Sequence, residues 1–95
     1  MISGVNENEE KIIKEILNKY PYDFYYYGSR VKGDYTAGSD LDILVESNEE
    51  IPVGIIEKIE LEFNESKIPY IVKLADRKRL EDYFYDLIKA SLIKI

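Results

Sequence analysis

Two carboxylates spaced i, i+2, Asp40 and Asp42, head an apolar run within the stretch FYYYGSRVKGDYTAGSDLDILVE, residues 24–46. If that run is a strand, both side chains project to the same face. Across a gap of ten residues upstream lies Gly28-Ser29, the end of an aromatic run. Its open backbone and hydroxyl suit a phosphate. Close carboxylates repel, and folding tolerates the repulsion best when a cation sits between them. Carboxylates that hold a divalent cation beside a phosphate-binding turn are the two halves of a phosphoryl-transfer site. Neither half is specific alone. Gly-Ser turns end many strands, and an Asp-x-Asp on an exposed strand face often serves only solubility.

Composition narrows the chemistry. The chain has no histidine and no cysteine, which removes the commonest general base and every thiolate or imidazole metal ligand. Catalysis would then rest on carboxylates, lysine, tyrosine, serine or a metal held by oxygen, which favours Mg²⁺, Mn²⁺ or Ca²⁺. A net charge of −6 argues against direct nucleic-acid binding, since such proteins carry a basic face. A small anionic ligand is compatible with it, because a bound metal supplies positive charge.

Ninety-five residues with 45% hydrophobic content and nine tyrosines make one folded domain, spanning residues 1–95. No apolar run reaches the ~18 residues of a membrane span, so no membrane association is expected. The start, MISGVNENEEK, lacks the basic and apolar regions of a secretion signal, and a cytoplasmic location is the expectation.

The elements that must position the candidate residues follow from periodicity. Ile12, Ile13, Ile16, Leu17 and Tyr20 recur at helical spacing and predict a helix from about Glu9 to Tyr20, capped by Asn6 or Asn8 and stopped by Pro21. Asp23 to Tyr27 is short and aromatic, hence a strand. A single helical turn is predicted over 29–33 and loop over 34–39. Leu41 to Glu46 predicts a second strand, with Leu41, Ile43 and Val45 on one face and Asp42 and Leu44 on the other. Pro52 suits the first turn of a helix that carries Ile55, Ile56, Ile59 and Phe63 to about Asn64. Ile68 to Ala75 reads as a third strand. Leu80, Tyr83, Phe84, Leu87, Ile88 and Leu92 give a last helix running to the chain end. This α/β (α+β) pattern predicts a small mixed sheet of three strands with three main helices, the helical connection between the second and third strands implying a parallel crossover.

Gly28-Ser29-Arg30-Val31-Lys32-Gly33 followed by Ser39-Asp40-Leu41-Asp42 resembles the signature of the nucleotidyltransferase superfamily related to DNA polymerase β. Over nearly the whole chain the sequence looks like the minimal nucleotidyltransferases, small members of which serve as antitoxins to HEPN-domain ribonuclease toxins. The resemblance implies the polymerase β-like fold, binding of ATP or another nucleoside triphosphate, and Mg²⁺ or Mn²⁺ as cofactor. It implies Asp40 and Asp42 as catalytic and metal-binding residues, and Gly28, Ser29 and Arg30 as nucleotide-binding residues. The reaction implied is transfer of AMP from ATP to a hydroxyl, with a tyrosine of a HEPN partner as acceptor. Arg30 and Lys32 read equally as phosphate or partner contacts and as solvated loop charge. Ser39 is a candidate for capping the Asp40 turn, and Tyr25, Tyr26 and Tyr27 either stack a base or divide between core and surface.

One departure stands out. The family's third carboxylate lies in a Val-Asp-Leu-like triplet of the third strand, and here the triplet is Val72-Lys73-Leu74. Asp76, three residues on, has the wrong parity for the same face unless the strand bulges or ends. Three readings remain open at this level: an active transferase; a nucleotide- or partner-binding module weakened by Lys73; and an interaction domain whose acidic loop takes up a cation incidentally.

Overall fold

The computed structural model describes Ile2 and residues 4–95. Helix α1 (Glu7–Leu17) opens with a reciprocal cap: the Asn6 side chain accepts from Glu9 N at 2.8 Å, and Glu9 Oε1 accepts from Asn6 N at 3.2 Å. A cap of this kind is worth about 1 kcal/mol. The helix ends at Leu17, short of Tyr20. Pro21 disfavours helical backbone at Tyr20, whose hydroxyl instead donates to Glu62.

The chain continues through β1 (Asp23–Tyr27), a single turn α2 (Ser29–Lys32), β2 (Leu41–Glu46), α3 (Val53–Asn64) and β3 (Val72–Asp76). A 3₁₀ turn at Arg77–Arg79 leads to α4 (Asp82–Ile88), and a second at Lys89–Ser91 leads to β4 (Ile93–Lys94). The sheet order is β3-β2-β1-β4. Strand β1 runs antiparallel to β2 and β4, while β2 and β3 are parallel and joined through α3. This is the mixed α+β architecture of the polymerase β-like nucleotidyltransferases.

The sheet has four strands rather than three. The last helix stops at Ile88, and the alternating segment after Ser91 pairs with β1, placing Tyr25 opposite Lys94 and Tyr26 opposite Ile93. Ile95 N extends the pairing to Phe24 O at 3.0 Å. An apolar residue four beyond Ile88 fits a helical stripe and a strand equally well, and an unpaired β1 edge decides for the strand. Strand β3 begins at Val72 rather than Ile68, because Pro69 cannot donate to a ladder.

Leu41, Ile43 and Val45 of β2 are fully buried with Phe24 and Tyr26 of β1 against Ile13 of α1 and Ile59 and Phe63 of α3. Each such side chain contributes about 1.5–3 kcal/mol by leaving water. Leu44 points the other way yet is also fully buried, so the second face of the sheet is covered in part. Helix α4 lies there: Phe84 meets Tyr27 edge to face at 6.2 Å. No helix among the described residues is long and apolar enough to cross a membrane.

Candidate active site

Gly28 ends β1 with φ +88° and ψ −158°, a backbone region reserved for glycine. A Cβ at this position would overlap the carboxylate of Asp42. The glycine therefore serves two ends, the turn itself and a close approach of that turn to the second carboxylate of Asp40-x-Asp42. Gly28 O accepts from Val31 N and Lys32 N, each at 3.1 Å, which starts α2. Gly33, at φ +85°, closes the turn in left-handed conformation, and Asp34 N donates to Ser29 O at 3.0 Å. Ser29 is half-buried at the head of this turn.

Asp42 lies opposite Tyr27 on β1 and opposite Lys73 on β3. All three side chains share one face of the sheet, the face away from α1 and α3. Asp40 precedes the strand and is fixed by the bond from Leu41 N to Ile71 O at 2.8 Å. Burial raises the proton affinity of the Asp42 carboxyl, the Asp40 charge raises it further, and the Lys73 ammonium works against both. The Tyr27 hydroxyl is pushed up to about 12 by burial and by the Asp42 charge, so it stays protonated beside the carboxylate at neutral pH.

Lys73 Nζ sits 3.1 Å from Asp40 Oδ2. The β2–β3 register thus confirms that a lysine occupies the β3 position facing Asp42. Asp76 is no replacement acid for this face. It pairs in register with Val45, is buried, and accepts from Ile51 N at 2.9 Å, Lys78 N at 3.0 Å and Arg79 Nη1 at 3.3 Å. Those donors tie the loop before α3 and the turn after β3 to the sheet, a structural task.

Arg30 departs from both sequence expectations, phosphate contact and solvated loop charge. Its side chain is 2% exposed. Nε and Nη2 fork onto Ser39 O at 3.2 and 2.8 Å, and Nη1 donates to Gly4 O at 3.3 Å. The guanidinium lies over the Tyr70 and Tyr35 rings at 4.1 and 5.1 Å. With its donors turned inward, Arg30 does not face the Gly28–Asp42 contact; it locks the carbonyl immediately before Asp40. Gly4, at φ +77°, leaves room that a Cβ would deny to the guanidinium and to Tyr35. Ser39 completes the loop: Thr36 N donates to its Oγ at 2.8 Å, and Ser39 N donates back to Thr36 O at 3.0 Å. Lys32 is exposed. Of the three tyrosines, Tyr26 belongs to the core, while Tyr25 and Tyr27 are half-buried on the opposite face.

Two residues beside the site had no signal in the sequence. Glu60 of α3 accepts from Leu74 N at 2.9 Å, covering part of the open β3 edge next to Lys73. Tyr70 reaches Glu9 at 3.1 Å and so joins the α1 cap to the Arg30 cage. Among the described residues no group of three or more acidic, histidine or cysteine side chains could hold a metal by itself. A pair of carboxylates such as Asp40 and Asp42 is too few to enclose a divalent ion, and would suit one that draws its remaining ligands from water or phosphate.

Comparison with known proteins agrees with this fold. The model of the nucleotidyltransferase domain matches residues 9–95. Over 93 residues the chain is 30% identical to a Haemophilus influenzae protein described as "Probable protein adenylyltransferase MntA", covering 96% of this chain and 82% of that relative. The chain thus belongs to the nucleotidyltransferase domain family.

Proposed function

We propose that the protein transfers AMP from ATP to a hydroxyl of a protein, with Mg²⁺ or Mn²⁺ held by Asp40 and Asp42, and that it acts in the cytoplasm as an antitoxin by modifying a HEPN-domain toxin. The observation that carries this reading is the packing of Gly28 on Asp42, which brings a glycine turn directly against the second carboxylate of the pair. The likeness to a protein described as an adenylyltransferase supports AMP and a protein acceptor. Gly28 and Ser29 would receive the phosphates on backbone and hydroxyl, and a bound Mg²⁺ would neutralise charge on the departing pyrophosphate. The acceptor oxygen forms a bond to the α-phosphorus, the bond from that phosphorus to the bridging oxygen breaks, and pyrophosphate leaves. The chain has no histidine, and Lys73 is already protonated, so the hydroxyl proton is left to a carboxylate or to water. Arg30 is a positioning residue in this scheme, acting on Asp40 through Ser39 O.

A second reading, nucleotide or partner binding without turnover, is favoured by the Lys73–Asp40 ion pair, which ties up one oxygen of the pair. Incubation with ATP labelled at the α-phosphate, Mg²⁺ and a HEPN partner separates the two. Label on the partner that disappears in Asp42→Ala is the expected result. No label, together with ATP-dependent thermal stabilisation, would establish the binding module instead.

A further inference from the structure

Lys73 stands beside the two carboxylates on the same face of the sheet. Its ammonium, on a largely exposed side chain, lies 3.1 Å from Asp40 Oδ2. Asp42 faces it across the β2–β3 ladder, and Glu60 is anchored to the next residue of β3. The ammonium thus pairs directly with Asp40 and shares a sheet face with Asp42. Two carboxylates as close as Asp40 and Asp42 ordinarily need a cation between them to relieve their repulsion. Here the chain brings its own.

We propose that Lys73 is a resident cation of the site: its ammonium takes the place beside Asp40 that a divalent ion would fill. The carboxylate pair then stays assembled without metal and takes up a divalent ion only together with a nucleotide. This rests on the reading of Asp40 and Asp42 as a metal–nucleotide site. Lys73 is a positioning residue in it, acting through Asp40. A divalent ion approaching Asp40 and Asp42 meets a like charge held against one of the four carboxylate oxygens, so its affinity falls. Triphosphate restores the affinity because it brings further oxygen ligands and negative charge. A single neighbouring charge changes proton affinity at a carboxylate by about tenfold or more, which sets the scale expected for a metal ion.

The test is Mn²⁺ titration of the nucleotide-free protein by calorimetry, with wild type, Lys73→Met and Lys73→Arg. Lys73→Met is expected to bind Mn²⁺ about tenfold or more tightly than wild type, whereas Lys73→Arg stays as weak as wild type. Thermal melting in EDTA gives a second readout. Wild type is expected to melt at the same temperature with and without Mg²⁺, and Lys73→Met to melt lower in EDTA and recover with Mg²⁺. Equal Mn²⁺ affinity in wild type and Lys73→Met, or tight binding by Lys73→Arg, would overturn the proposal. If Lys73→Met proves unstable without metal, its rescue by Mg²⁺ is the supporting result and failure of rescue the contrary one. None of these readouts needs turnover. A wild type that transfers no nucleotide, beside a Lys73→Met that gains Mn²⁺ affinity, would sink the transfer reading and leave the resident cation standing.

Discussion

Gly28→Ala perturbs the junction on which the site depends, and Gly33→Ala supplies its control. Both glycines have positive φ, +88° and +85°. Gly33 is in the left-handed helical region, which alanine enters at a cost of about 1–2 kcal/mol. Nothing lies within 4 Å of a Cβ built there. At Gly28, ψ of −158° puts the backbone in a region essentially closed to other residues, where strain runs to about 1–3 kcal/mol. The new Cβ also overlaps the Asp42 carboxylate, so either the turn or Asp42 must move. In a domain of this size 1 kcal/mol shifts the melting temperature by about 4–8 °C, so Gly28→Ala is expected to melt roughly 5–20 °C lower. Gly33→Ala should melt lower by a smaller margin. The functional effects separate more sharply. A displacement of about 1 Å in a reacting group costs on the order of 10²-fold in rate, so Gly28→Ala should lose transfer from ATP while Gly33→Ala keeps it. Urea melts and the labelled-ATP reaction, run on both variants below their melting temperatures, make the comparison. Undiminished transfer by Gly28→Ala, or equal loss in both variants, would refute the claim that Gly28 is chosen for its approach to Asp42.

Other expectations follow from the same geometry. Arg30→Met should cost about 1–3 kcal/mol in urea unfolding, because Ser39 O and Gly4 O lose a buried donor. Arg30→Lys should recover only part of this, since an ammonium cannot fork onto Ser39 O while lying flat between two tyrosines; full recovery would contradict the cage. Asp76→Ala should destabilise by a similar or larger amount, yet leave Mg²⁺–ATP binding intact at temperatures where the variant is folded. A selective loss of metal binding there would mean that Asp76 belongs to the site after all. Glu62 is held below the usual carboxylate range by hydrogen bonds from Lys19 and Tyr20. Its contribution to stability is therefore present above the unfolded pKa and is lost as pH falls through the folded one. Glu62→Gln should accordingly melt lower than wild type at pH 7, by an amount that shrinks on acidification. A difference that grows toward low pH would reverse that sign.

Strands β1 and β2 could be read from the sequence because each is a short aromatic or alternating run bounded by a strong breaker: Pro21 and Gly28 for β1, Gly38 and Ser47 for β2. The parallel crossover to β3 followed from the amphipathic stretch of α3, the placement of Lys73 at the site followed from the resemblance, through the triplet Val72-Lys73-Leu74, and side-chain parity set Asp76 apart from that face. The Arg30 cage could not be read this way. Its partners Gly4, Tyr35 and Tyr70 are far apart in sequence, and an arginine in a glycine-rich loop is by default solvated. Strand β4 was equally hidden: two residues carry almost no local signal, and only the free edge of β1 gives Ile93 and Lys94 a reason to extend. Leu44 illustrates the same limit. Alternation assigned it to the face of Asp42, and nothing in that alternation foretells its complete burial there.

If the Gly28–Asp42 junction serves the proposed reaction, it carries nucleotidyl rather than phosphoryl transfer. Two parallel reactions test it most directly, one with ATP labelled at the α-phosphate and one at the γ-phosphate, each with Mg²⁺ and a HEPN partner. Nucleotidyl transfer gives label on the acceptor from the α-position only, released pyrophosphate in equal amount, and no labelling with Asp42→Ala. Acceptor labelled from the γ-position, or α-labelling that survives Asp42→Ala, would contradict it.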